Sequence, residues 1–148
     1  MESPLMPHNI DAEEAVLGSI LIDNDQMVGI ILEPDDFYCE QGRWIFNALA
    51  SLYKDGRVIN QITVAQKLDD LGLLTKAGGA AYLSHLIATV PTSLDCPYYA
   101  EIVKKHSQHR RLINLAATGD FDGVAKLLRE ANKPPDILKP KDVADEMI

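Results

Sequence analysis

The sequence predicts an all-α protein: a small helical globular domain, then an antiparallel helical hairpin, then a proline-containing linker. Apolar residues recur at three- and four-residue steps through almost every segment. Glycine, proline and short polar side chains stand at the ends of those segments, where helices start and stop. The one piece that reads as extended, Val58-Ile59, is too short to pair alone. At 148 residues, 47% of them hydrophobic, the chain has the size of one domain and material for a core.

Asn9 is placed to cap a first helix in which Ile10, Leu17, Ile20 and Leu21 fall on one face, ending near Asp23-Asn24. A brief second helix, about 26–32, stops at Pro34, because the residue before proline avoids the helical region. The third is the clearest. From Glu40 to Lys54 it carries Ile45, Phe46, Leu49, Leu52 and Tyr53, and Gly56 follows as its stop. Asn60 or Thr63 opens a fourth helix with Ile62, Val64, Leu68 and Leu71, closed by Gly72. Gly78-Gly79 introduce a fifth, Ala80 to Thr89, ended by Pro91.

Ser93 and Pro97 start a long helix to about Ala117. Its ends are apolar, with Tyr98, Tyr99, Ile102 and Val103 at one and Leu112, Ile113, Leu115 and Ala116 at the other. Its middle, Lys104 to Arg111, reads as polar all round. A helix inside a globule needs an apolar stripe at every turn, so this one is expected to leave the body and become wet midway. Thr118-Gly119-Asp120 supplies a turn, and a partner helix from about Phe121 to Ala131 bears Phe121, Val124, Leu127 and Leu128. Two helices joined so tightly are expected to pack as an antiparallel hairpin. Pro134, Pro135 and Pro140 make a stiff connector. Lys141 to Ile148 begins a further helical pattern, which points to more protein beyond it. The expected divisions are 1–95, 96–132 and 133–148.

Charge is unevenly divided. The net charge is −8, with −9 on residues 1–99 and +1 on residues 100–148. That balance argues against a protein that coats nucleic acid, whose footprint would be basic. No window approaches the apolar length of a membrane span, and the N-terminus lacks the pattern of a signal peptide. Cys39 and Cys96 are expected as free thiols in a reducing compartment. The expected location is the cytoplasm.

Chemical motifs are sparse. The phosphate-loop pattern Gly-x4-Gly-Lys-Ser/Thr does not occur, nor does Gly-x-Gly-x-x-Gly. His106 and His109 could share a helix face, but Lys105 and Arg110 beside them repel a cation. Asp35-Asp36 follows Pro34 and reads as helix capping, and Asp69-Asp70 as a solvated helix end. No catalytic, cofactor or metal residues emerge. The basic block Lys104, Lys105, Arg110 and Arg111 reads first as a solvated helix face; its functional reading is an electrostatic contact with phosphates or an acidic protein. Without interleaved aromatics, sequence-specific nucleic-acid reading is not expected there.

The run Pro7-His8-Asn9-Ile10-Asp11-Ala12-Glu13-Glu14-Ala15-Val16-Leu17-Gly18 resembles the opening of the N-terminal, or collar, domain of DnaB-type bacterial replicative DNA helicases. Further segments agree in order: Asp36-Phe37-Tyr38 with Arg43 and Ile45-Phe46; Leu52-Tyr53 with Gly56; Gly78-Gly79-Ala80-Ala81-Tyr82-Leu83; and Val90-Pro91-Thr92 leading to Tyr99-Ala100-Glu101-Ile102-Val103 and Arg110-Arg111-Leu112-Ile113. The resemblance covers about residues 7–117. Gly42 stands where the family usually has histidine, Asn60 where it usually has aspartate, and the segment after Ala117 is shorter than the usual hairpin.

This resemblance implies a small helical domain and hairpin placed before a linker and a RecA-like ATPase domain. It implies pairing through the hairpins into a collar over a hexameric ring, and docking of primase through its helicase-binding domain. The interface is then expected at Ile113, Ala116, Phe121, Val124, Leu127 and Leu128. No cofactor is expected in this chain; ATP and Mg²⁺ belong to the helicase domain, and DNA is reached only through the full assembly. The competing reading is a stand-alone regulator or inhibitor that copies the collar fold. The unfinished last helix speaks against it.

Overall fold

The computed structural model describes residues 6–132, and every regular element among them is helical. In chain order they are α1 (Ile10–Ile22), α2 (Glu40–Lys54), α3 (Gln61–Asp70), α4 (Gly79–Thr89), α5 (Cys96–Ala117) and α6 (Phe121–Ala131), with short 3-10 turns at Asn24–Gly29, Pro34–Asp36 and Ser93–Asp95. The expected linker and the helical start at Lys141 lie outside the described residues. The chain divides into two compact units, Met1–Arg110 and Arg111–Ile148.

The helix ends follow from local chemistry. Asn9 Oδ1 accepts the Ala12 N–H at 3.0 Å. Both candidates for the start of α3 take part: Asn60 Oδ1 accepts the N–H groups of Ile62 and Thr63, and Thr63 Oγ1 accepts the Asn60 N–H at 2.9 Å. This reciprocal cap satisfies donors that the first helical turn leaves open. α2 ends where Gly56 takes a left-handed φ of 67° and the Arg57 N–H reaches back to the Leu52 carbonyl.

α1 departs from the sequence pattern. One apolar face is expected, yet residues 15–21 are all buried, as are Ala12 and Glu13. The helix runs through the middle of the first unit, in contact with α2 and α4. Its small residues allow this: a Cβ on Gly18 would collide with the Leu86 carbonyl of α4 and with Val90 just past its end. Around α1 the core is filled by Phe37, Ile45 and Leu49, by Val64 and Leu68 of α3, by Leu83 and Leu86 of α4, and by Cys96, Ala100 and Val103 of α5.

The brief α-helix expected at 26–32 is instead a 3-10 turn over Asn24–Gly29 with no buried residue. Asp23 accounts for the tight winding, since its carboxylate accepts both the Asp25 N–H and the Gln26 side-chain amide. No helix among the described residues is long and apolar enough to cross a membrane.

Candidate interface

The middle of α5 is polar, as the sequence says, but it is not wet on all sides. Positions 100, 103, 104, 107 and 110 follow one another at helical spacing, so Lys104, Ser107 and Arg110 continue the face begun by Ala100 and Val103. The apolar stripe becomes a polar one and meets a buried acid. Asp36 is fully buried and accepts from the Ser107 hydroxyl at 2.6 Å, the Lys104 ammonium at 3.2 Å and the Glu33 N–H at 2.8 Å. The Arg110 guanidinium donates to the Pro7 carbonyl at 2.8 Å and the Asp36 carbonyl at 2.7 Å, and lies 5.7 Å from the centre of the Tyr38 ring. His8 stacks on Tyr38 with ring centres 4.0 Å apart. The expectation of a solvated middle is therefore corrected: a helix face can be covered by partnered polar groups as well as by apolar ones.

A second acid supports the same region. Glu13, buried on α1, accepts the N–H groups of Tyr38 and Cys39 at 3.0 to 3.2 Å. Arg43 donates to the Phe37 and Tyr38 carbonyls. The loop between the Pro34–Asp36 turn and α2 is thus held from both α1 and α2. Burial pushes the Glu13 carboxyl above its ordinary range, against the pull of the Tyr38 and Cys39 amides and the Arg110 charge. For Asp36 burial also pushes upward, but the hydrogen bonds from Ser107 and Glu33 and the Lys104 charge outweigh it and hold the carboxyl below its ordinary range. Burial pushes the Cys96 thiol up to about 11. Cys39 and Cys96 are both free thiols.

The sequence-predicted basic residues divide. Lys104 and Arg110 turn to the protein's own Asp36 and backbone carbonyls, whereas Lys105 is exposed and pairs with Glu101 one turn earlier at 3.2 Å. Arg111 is exposed. Asp35-Asp36 does sit at a helical start, and Asp36 accepts the Glu33 N–H as a cap would; its burial under α5 was not foreseen. Sequence reasoning missed Asp36, Ser107 and Glu13 as a set. The signal available was phase: Ser107 and Arg110 lie in register with Ala100 and Val103.

The second unit carries the other predicted residues. α5 ends in a left-handed Gly119, with the Asp120 N–H returning to the Leu115 carbonyl at 3.0 Å. Asp120 then caps α6 by accepting the Gly123 N–H at 2.9 Å. The three-residue connection is therefore fully specified by local hydrogen bonds. On α6, Phe121, Val124, Leu127 and Leu128 share one side. Their exposure is uneven: Leu127 is 8% exposed, but Leu128 is 45% and Phe121 75% exposed. Val124 is half-buried, Ile113 is 39% exposed, and Ala116 is exposed.

Among the described residues no group of three or more His, Cys, Asp or Glu could hold a metal ion. Open grooves of 170 and 310 Å³ flank α3, lined by side chains such as Ile62, Gln66, Lys67 and Leu74 with no convergent catalytic set.

Comparison with known proteins shows the family. Residues 5–105 match the family model described as "DnaB-like helicase N terminal domain". The replicative DNA helicase DnaC of Bacillus subtilis is 39% identical over 137 residues, which is 87% of this chain and 30% of that protein. The replicative DNA helicase DnaB of Mycobacterium leprae is 39% identical over 109 residues, 72% of this chain and 18% of that protein. The chain therefore spans less than a third of the length of these curated relatives. Among solved structures, the N-terminal domain of DnaB helicase from Mycobacterium tuberculosis matches with a TM-score of 0.74 and 36% identity, over 86% of this chain and 95% of that one. A DnaB-like replicative helicase, solved together with its interactions with primase, shares the fold with a TM-score of 0.70 at 23% identity, over 94% of this chain and 34% of that one.

Proposed function

The chain belongs to the family of DnaB-like helicase N-terminal domains, and from that membership we propose that it is a non-catalytic collar piece of a replicative helicase. It joins copies of the protein to one another and gives primase a place to dock. ATP and Mg²⁺ act in a separate ATPase domain of the parent protein, and DNA is engaged by the whole assembly.

The observation that carries the self-association reading is the split face of α6. Phe121 and Leu128 are open beside the buried Leu127, with Ile113 exposed on the end of α5. A two-fold contact makes one patch cover its own copy. Burying each such side chain is worth roughly 1.5–3 kcal/mol at full coverage. Six of them, partly covered already, yield roughly 10 kcal/mol before an association penalty of about 4–15 kcal/mol. Gain and penalty are of the same order, so pairing of the isolated domain is weak, and a ring gains its strength from several such contacts held together.

The test uses the complete native gene product. It should contain a phosphate-binding loop beyond Ile148 and assemble as a hexamer by mass photometry. The double variant Phe121→Glu and Leu128→Glu should break the assembly and weaken binding of a primase helicase-binding domain, with the helical circular-dichroism signal kept. A hexamer indifferent to both substitutions overturns the assignment of the interface, and a gene ending at Ile148 would favour a regulator built on the collar fold.

A further inference from the structure

Along α5 the character of the contact face changes from apolar to polar. Cys96, Ala100 and Val103 lie in the hydrophobic core, and Ser107 is the last buried position on the helix. From residue 104 onward the groups facing the globule are Lys104, Ser107 and Arg110, and their partners are Asp36, the Pro7 and Asp36 carbonyls and the Tyr38 ring. Lifting the first stretch would expose core to water, which is unfavourable in proportion to the apolar area uncovered. Lifting the second exposes mainly charged and hydroxyl groups, which water solvates well. The polar contacts define the docked geometry closely, and no side chain of residues 104–110 belongs to the apolar core.

We propose that residues 104–110 of α5 form a clasp that opens as a unit from Asp36 and the Pro7 and Tyr38 region while the rest of the globule stays folded. Opening uncovers Asp36 and frees the α5 backbone from its seat. Once off the globule this stretch has no apolar cover, and a few helical turns alone are marginal in water, so its amides exchange with solvent. A partner that prefers either the docked or the open form shifts the clasp by the ratio of its two affinities. The proposal goes beyond self-association and does not depend on it.

Native-state hydrogen exchange on the intact chain, at micromolar concentration across a low-denaturant series, tests this. Amides of residues 104–112 should exchange through an opening nearly independent of denaturant, whereas α1 and α4 amides follow the steep dependence of global unfolding. Arg110→Met should speed exchange at 104–112 by about tenfold or more, since charge-assisted hydrogen bonds are lost. Gly18→Ala should speed α1 and α4 and leave 104–112 unchanged, because the α1–α4 contact is present in both clasp states. If 104–112 fall on the global line in the wild type, or respond to Gly18→Ala as α1 does, the clasp does not exist. The wild-type series decides the matter even if a variant fails to fold.

Discussion

Replacing Asp36 by asparagine isolates the charge of the buried acid at nearly constant shape. The wild-type carboxylate offers only acceptors, and its donors include Ser107 Oγ–H, Lys104 Nζ–H and the Glu33 N–H. Asparagine keeps one acceptor oxygen and turns an NH₂ group toward the rest. If its oxygen faces Ser107, the amide nitrogen confronts Lys104 and Glu33; flipped, it confronts Ser107 unless that hydroxyl rotates. Hydrogen bonds to a charged group contribute roughly 1.5–3 kcal/mol each, and leaving a buried donor unpaired adds to the loss. Lys104 is 29% exposed and can swing toward water, which limits its share. The expected destabilisation is about 3 kcal/mol near neutral pH, or a Tm lower by about 10 °C for a chain of this size.

The pH dependence gives that prediction its sign. The Asp36 carboxyl is held below its ordinary value of 3.8 in the fold, so its contribution is complete above the unfolded value and disappears as pH falls through the depressed folded value. Urea unfolding of both proteins from pH 7 down to pH 3 should therefore show a gap that is constant at first and then narrows in acid. A gap under about 1 kcal/mol at neutral pH, or one that widens in acid, would refute the reasoning about the buried acid.

Glu13 should behave with the opposite sign. Its folded carboxyl is raised above 4.5, so the fold holds that proton more tightly than the unfolded chain does. Stability from this group is highest below about pH 4.5 and falls as pH rises through the raised value; relative to wild type, Glu13→Gln should improve between pH 4 and pH 7 in the same urea measurement. An unchanged difference across that range would contradict the shift. Gly18→Ala should lower stability by roughly 1–3 kcal/mol by forcing α1 away from α4. Its control is Gly29→Ala, where a Cβ meets nothing within 4 Å and thermal unfolding should move little.

The all-helical fold was legible because its signals are local. Asn9, Asn60 and Gly56 act within four or five residues of themselves, and the periodicity of α2 needs only one buried side to show. What escaped the sequence depends on distant partners. The burial of α1 on all sides follows from α4 crossing at Gly18, and no count of apolar residues within α1 reports that crossing. The Asp36 network joins residues 36, 104, 107 and 110, in which an acid beside Pro34 and a basic helix each read as solvated when taken alone. The tight turn at Asn24–Gly29 was lost because Asp23 winds it through its side chain, while Met27 and Val28 imitate a helical pattern. The α6 side chains were read from their spacing, but the spacing could not say that Leu127 is covered and Phe121 is open.

Self-association through α6 is the claim on which the functional account rests, and sedimentation of this chain over a range of concentrations measures it directly. The account predicts a reversible monomer–dimer equilibrium that moves toward dimer as concentration rises and is lost in Leu128→Glu at unchanged helical content. A wild-type chain that remains monomeric up to millimolar concentration, or a Leu128→Glu variant that dimerises as the wild type does, would contradict it.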